Sequence, residues 1–109
     1  MVTEEKVITK KEDKLVSYEM VVILNPTLID EPLETAVTNI TNFITGKGGN
    51  VSEVVRWGKR TLAYPIRHLS SGTYILVKFT LKPGFSKDLE NHLKITEPVL
   101  RHLLVNLES

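Results

Sequence analysis

The 109-residue sequence contains no cysteine, which excludes disulfides, thiolate metal sites and cysteine nucleophiles. No uninterrupted apolar run approaches the ~18 residues that a membrane-spanning helix needs. The N-terminus also lacks the apolar core of a secretory signal, so we expect a cytoplasmic protein. A chain of this length is sufficient for one domain with a single two-layer core.

Acidic residues are absent from positions 56–68, although the formal net charge of the whole chain is only +1. So small a net charge argues against a nonspecific basic coat for nucleic acid, but it permits a local cationic patch. Residues 1–16 differ from this segment, because the charges of their lysines and acidic residues cancel. We predict a charged, flexible tail over residues 1–16 and one folded domain over residues 17–109. The cations of the acid-free segment are Arg56, Lys59, Arg60 and Arg67.

Hydrophobic periodicity predicts four strands, two helices and one further extended segment at residues 62–66. Residues 17–24 and 73–81 have the apolar patterns of strands, and residues 50–57, 62–66 and 99–107 also favour extended structure. Consecutive valines at 54 and 55 indicate a bulge or a twist, and Pro65 indicates a strand end or sheet edge. Ser70-Ser71-Gly72 is typical of a turn.

The first predicted helix begins at Asp30-Glu31-Pro32 and ends in the glycine cluster at 46–49. The second follows Ser86, a residue suited to the N-cap. The element order is therefore βαββαβ. It predicts an α+β domain of the ferredoxin-like, split βαβ type, with two helices on one face of a four-stranded antiparallel sheet.

Residue patterns typical of catalysis or metal binding are weak. His68, His92 and His102 lie far apart without metal-ligand spacing, so we expect neither a metal site nor a cofactor. The glycines at 46–49 follow a helix, whereas a phosphate-binding loop leads from a strand into one. We therefore predict that the protein is not an enzyme.

The segment from Arg56 to Arg67 combines cations, a tryptophan and a glycine in a way that suits RNA. Guanidinium groups bind phosphate, lysine supplies a point charge, and Trp57 can stack on a base. The alternative is that Trp57 and Tyr64 pack at a strand edge beside solvated cations, and residue types alone leave both interpretations open. The predicted RNA-binding residues are Arg56, Trp57, Lys59, Arg60, Arg67 and Arg101.

The first predicted strand is apolar on both of its faces, although helices cover only one side of the predicted sheet. The open side should then expose apolar residues, a feature that usually marks a partner surface. Coverage by the tail or by a second copy is the alternative. We predict a partner-protein surface formed by Tyr18, Met20, Tyr64, Tyr74 and Leu76.

Several motifs resemble the family of ribosomal protein six of the bacterial small subunit. They are Tyr18-Glu19, Asn25-Pro26, Trp57-Gly58-Lys59-Arg60, Leu62-Ala63-Tyr64-Pro65-Ile66, Gly72-Thr73-Tyr74 and Val99-Leu100-Arg101. The resemblance implies a ferredoxin-like, non-enzymatic constituent of the small subunit. It also implies binding to the central domain of 16S ribosomal RNA together with small-subunit protein eighteen.

Two other functions are compatible with the same predicted fold. A regulatory module that binds a ligand or protein and dimerises through its sheet is the main alternative. A small acyl-phosphate hydrolase needs an anion-binding loop with an arginine after the first strand. Residues 25–29 contain neither a cation nor a glycine, which argues against the hydrolase.

Overall fold

The computed structural model describes residues 14–108, which form one four-stranded antiparallel sheet and two α-helices. The predicted tail lies outside the described residues except for its last three, and Val16 already belongs to the first strand. The spatial strand order is β2-β3-β1-β4. The elements are β1 (Val16–Leu24), α1 (Asp30–Gly46), β2 (Asn50–Ile66), β3 (Leu69–Leu81), α2 (Ser86–Ile95) and β4 (Val99–Asn106).

The core lies between the two helices and one face of the sheet. Alternate residues of β1 point into it, and each is at most 4% exposed. They meet the apolar stripe of α1, which includes Val37 and Ile40, and the two buried leucines of α2. Every second residue of the strand and the apolar stripe of each helix thus pack into one core layer, as the sequence predicts. The four buried residues of β1 are Tyr18, Met20, Val22 and Leu24.

The prediction that Tyr18 and Met20 bind a partner protein is wrong, because both side chains are buried. Tyr18 is 4% exposed and its ring stacks on Phe79 at a centroid distance of 5.5 Å, while Met20 is fully buried. Both side chains face the helices and contribute to the core. The open face of β1 carries Val21 and Ile23 instead, which are partly buried.

The predicted strands at 50–57 and 62–66 form one 17-residue strand, β2, at the edge of the sheet. Its pairing with β3 is interrupted at Val51/Glu53, at Arg56/Gly58 and between Thr61 and Ile66. A bulge at Val54-Val55 is therefore wrong, because these two residues pair in regular register and the shifts lie on either side of them. Pro65 falls in the last interrupted stretch, where no ladder hydrogen bond requires its missing N–H.

A two-residue turn at Arg67 and His68 connects β2 to β3, and Ile66 pairs with Leu69 across it. Both turn residues have positive φ, 51° and 67°, as a type I′ hairpin turn requires. The turn predicted at Ser70–Gly72 is wrong, because these residues lie inside β3.

The two helices begin close to their predicted positions. The start of α1 at Asp30 agrees with the sequence, but Ser86 does not cap α2. It is the first helical residue, Phe85 occupies the cap position, and the Ser86 hydroxyl donates to the Pro83 carbonyl at 2.9 Å. A short 3₁₀ turn over Pro83–Phe85 leads into the helix.

Candidate nucleic-acid interface

Two predicted cations, Lys59 and Arg60, occupy the outer edge of the sheet. Lys59 pairs with Thr73 and Arg60 pairs with Gly72, so their side chains leave opposite faces of β2. Both are exposed, and neither forms an ion pair within residues 14–108. The edge of β2 therefore carries positive charge on both of its sides.

Local backbone geometry explains why these cations are offset from the rest of the strand. Gly58 has a φ of 88°, a backbone conformation that residues other than glycine rarely adopt. It lies at the register shift after Arg56. The shift is a bulge, which twists the strand and redirects the side chains on either side of it. Lys59 and Arg60 follow directly.

Trp57 is 42% exposed and lies beside this bulge. Its ring stacks on Tyr74, with centroids 6.4 Å apart and planes 25° from parallel. The Arg60 guanidinium lies over the Trp57 ring, 5.8 Å from its centroid. The tryptophan therefore packs against its neighbours at the sheet surface and still exposes a large apolar area to solvent.

Arg56 faces the helical side of the sheet. Its Nε and Nη2 atoms donate to the two carboxylate oxygens of Glu34 on α1, at 2.9 and 2.6 Å. Both side chains are about half exposed. Arg56 is thus the one predicted cation of β2 that an acidic side chain engages bidentately within the described part of the chain.

The remaining two predicted cations connect the far end of the hairpin to β4. The Arg101 Nη1 atom donates to the Tyr64 hydroxyl, and the guanidinium also lies 5.6 Å from the centre of the Tyr64 ring. Arg67 at the turn donates to the backbone carbonyl of Glu97, before β4, at 3.3 Å. Because β2 and β4 are opposite edges of the sheet, the end of β2 must fold across the open face to make these contacts.

A cavity of about 400 Å³ lies on the open face beneath the folded end of β2. It is lined mainly by apolar and aromatic side chains, with Arg101 at one side. Tyr64 and Tyr74, both predicted as partner-binding residues, line it, and Leu76 lies on the same face of β3. The principal lining residues are Val21, Ile23, Leu62, Tyr64, Tyr74 and Leu103.

Three residues of this surface were missing from the predicted set. Leu62 is buried against the open face, Gly72 allows the close approach of Ile23 beside it, and Leu103 is 61% exposed on β4. The alternation of residues 101, 103 and 105 was the available signal for Leu103, because it places this leucine on the face of Arg101. No comparable local signal exists for Leu62.

The described residues include no group of three His, Asp or Glu side chains placed to hold a metal ion. Likewise, no helix in residues 14–108 has both the length and the apolar character to cross a membrane. The candidate interface is a surface with exposed cations at one edge, aromatic rings beside them and an apolar open face.

Comparison with known proteins identifies the family. Residues 17–106 match the family model for ribosomal protein S6. The chain belongs to the ribosomal protein S6 family. It is 41% identical over 92 residues to the small ribosomal subunit protein bS6 of Clostridium acetobutylicum, which covers 84% of this chain and 97% of that relative. It is 39% identical over 93 residues to bS6 of Moorella thermoacetica, covering 85% and 95% of the two chains.

A solved structure supports the same assignment for this S6 family member. The crystal structure of 30S ribosomal protein S6 from Thermotoga maritima superimposes with a TM-score of 0.79 at 26% sequence identity, covering 85% of this chain and 88% of that one. The predicted ferredoxin-like fold and the resemblance to the family are both confirmed.

Membership of the S6 family also settles the class of function. Its relatives are named as proteins of the small ribosomal subunit, which are structural components, so the prediction that this protein is not an enzyme is confirmed. Family membership favours a ribosomal role over the alternative of a regulatory module on the same fold.

Proposed function

We propose that this S6 family protein binds the central domain of 16S ribosomal RNA together with small-subunit protein eighteen, and so supports subunit assembly and translation in the cytoplasm. The observation that carries the RNA part is the position of Lys59 and Arg60. They are exposed on both sides of the β2 edge and have no carboxylate partner in residues 14–108.

Charge and shape at this edge suit an RNA backbone. Two cations on opposite faces of one strand can approach different phosphates along a chain that passes the edge. The exposed Trp57 ring beside them offers a surface on which a base or ribose can stack. Arg67 and Arg101 extend the positive charge along the end of the hairpin toward β4.

The open face supports the second part of the proposal, the protein partner. The cavity beneath the end of β2 presents Tyr64, Tyr74 and Leu103 beside Ile23, and an apolar concavity of this size accepts bulky side chains of a bound protein. The opposite end of this face carries Lys78 between Glu19 and Glu53, at 3.9 and 3.7 Å, so these three charged groups engage one another and leave a net charge of −1. Apolar packing is therefore the main contribution available for the protein contact.

The test is binding of the full chain to a 16S central-domain RNA, with and without protein eighteen, at several salt concentrations. Lys59→Ala with Arg60→Ala should weaken binding about tenfold and reduce the magnitude of the salt slope by about 1–2, because two phosphate contacts are lost. The matched control is Lys87→Ala with Lys94→Ala, which removes the same charge from exposed positions of α2.

Equal affinities and salt slopes for the two double variants would contradict the RNA site. Capture of protein eighteen by each variant is measured in the same samples. Because Lys59 and Arg60 lie outside the cavity lining, their removal should leave this capture unchanged. A wild-type protein that captures neither the RNA nor protein eighteen would contradict the proposed function as a whole.

A further inference from the structure

The last part of the β2–β3 hairpin, residues 62–70, is an arm that the rest of the sheet holds loosely. Within it only Ile66 and Leu69 are paired, next to the turn. Leu62 is the one buried side chain of the arm, Ile66 and Leu69 are partly buried, and the others are exposed. An interrupted ladder and few buried apolar contacts are typical of segments that open at a low cost in free energy.

Two arginine contacts connect this arm to β4 and to the residues just before it. Arg101 on β4 donates to the Tyr64 hydroxyl, and Arg67 on the arm donates to the Glu97 backbone carbonyl. Both acceptors are neutral, and neither arginine pairs with a carboxylate within residues 14–108. Because a guanidinium has five N–H donors, each arginine keeps most of its capacity to bind an anion.

Arg67 and Arg101 line one cleft of about 270 Å³ between the arm, the end of α2 and the start of β4. Every charged side chain that lines this cleft is basic. The backbone adds a donor. Because the Leu107 N–H donates to the Ser17 carbonyl, alternate residues of β4 bond to β1, and the His102 N–H points to the outer edge. Converging positive charge without an acidic side chain suits a phosphate group.

We propose that a phosphate group binds in this cleft between Arg67 and Arg101 and holds the arm folded across the open face. The site is complete only while the arm is folded, because Arg67 belongs to the arm and Arg101 belongs to β4. A ligand that binds one conformation better shifts the population toward that conformation. Leu62 and Tyr64 of the arm line the apolar cavity, so binding of phosphate also completes the cavity wall.

Phosphate is favoured over a carboxylate because its additional oxygens can engage both guanidinium groups at once. Free phosphate and an RNA backbone share this chemistry, so both are tested as sources. The inference is independent of the proposed RNA contact at Lys59 and Arg60, since β4 is the opposite edge of the sheet. It is also independent of protein eighteen, because the isolated chain contains both the arm and the cleft.

The absence of cysteine from the sequence permits specific spin labels at His68→Cys in the turn and Asn91→Cys on the exposed side of α2. Without phosphate, double electron–electron resonance should resolve a short and a long distance between the labels. Inorganic phosphate, titrated at constant ionic strength, should leave only the short distance. A short uridine RNA is titrated in the same way, and the ligand that acts at the lower concentration identifies the source.

Arg67→Gln in the labelled chain should weaken phosphate binding about tenfold, because a charge-assisted contact is lost. The long distance should then persist at phosphate concentrations that remove it from the parent chain. Lys87→Gln is the matched control, since it removes one positive charge from an exposed position of α2 outside the cleft lining and should respond as the parent does.

A single short distance with and without phosphate would overturn the proposal, because the arm would then be fixed. A long distance that neither phosphate nor RNA removes would also overturn it. Equal phosphate dependence of Arg67→Gln and Lys87→Gln would show that the cleft is not the site. Circular dichroism of each labelled variant verifies that the fold is retained.

Discussion

Gly72 is a position at which even the smallest substitution should have a large structural effect. It lies in β3 on the open face, under the end of β2. A Cβ atom added there would overlap Cγ2 of Ile23, and would lie 3.5 Å from the Leu24 carbonyl oxygen and 3.6 Å from Cδ2 of Leu62. The first of these contacts is far below the 3.5–4.0 Å at which carbon atoms attract each other.

The overlap is difficult to relieve. Ile23 is β-branched, so its χ1 angle is stiff, and it belongs to β1, which is held between β3 and β4. Overpacking of this kind costs about 1–3 kcal/mol. Alanine regains about 0.4–1 kcal/mol over glycine by restricting the unfolded chain. We therefore expect Gly72→Ala to lower the free energy of unfolding by about 1–2 kcal/mol, which is roughly 4–8 °C in Tm for each kcal/mol.

Urea unfolding followed by circular dichroism and by the fluorescence of Trp57, the single tryptophan, measures this change. Gly84→Ala is the control, because a Cβ atom there meets nothing within 4 Å. Ile23→Ala removes the overlapping methyl group, so adding Gly72→Ala to it should cost at least about 0.5 kcal/mol less than in the wild-type chain. Additive effects of the two substitutions, or equal stabilities of Gly72→Ala and Gly84→Ala, would refute the steric argument.

Two further substitutions test the hairpin turn and the contact between β2 and α1. Replacing Arg67 and His68 with Asn-Gly should stabilise the protein by about 1 kcal/mol in thermal unfolding, because two side chains leave positive φ; an unchanged or lower Tm would contradict this. Glu34→Ala should cost at most about 1 kcal/mol, since its ion pair with Arg56 is half exposed. That cost should shrink in 1 M salt, and a loss that is independent of salt would show that the ion pair is not its source.

Local periodicity in the sequence is sufficient to predict the elements of this fold, but not the face that each strand presents to the helices. The helix α1 and the strand β3 are recognisable because each has one clearly apolar side. β1 is apolar on both sides, so a period of two cannot distinguish the face of Tyr18 from the face of Val21. The choice depends on which side α1 and α2 pack, which is a long-range property, and for this reason Tyr18 and Met20 were misassigned.

The hairpin shows the same limit for turns. Ser70-Ser71-Gly72 has a turn-like composition, but Gly72 serves a close approach of Ile23 and not a reversal of the chain. The reversal occurs at Arg67 and His68, residues that rarely adopt positive φ. Pairing of Ile66 with Leu69, together with contacts as distant as Arg67 to Glu97, determines the turn, and none of these is visible in a short window of sequence.

Contacts within the protein distinguish the candidate RNA-binding cations, which residue types alone could not do. Glu34, 22 positions away in sequence, engages two nitrogen atoms of Arg56, so a phosphate must compete with a carboxylate there. Arg101 gives one of its five N–H donors to Tyr64 and retains the others.

The Arg60 guanidinium lies over the Trp57 ring, and no carboxylate within residues 14–108 pairs with it, so its N–H groups are available to phosphate oxygens. That contact also restrains a long side chain before RNA arrives, so less conformational entropy is lost on binding. In the proposed complex Lys59 and Arg60 therefore contribute most, Arg101 and Arg67 less, and Arg56 least.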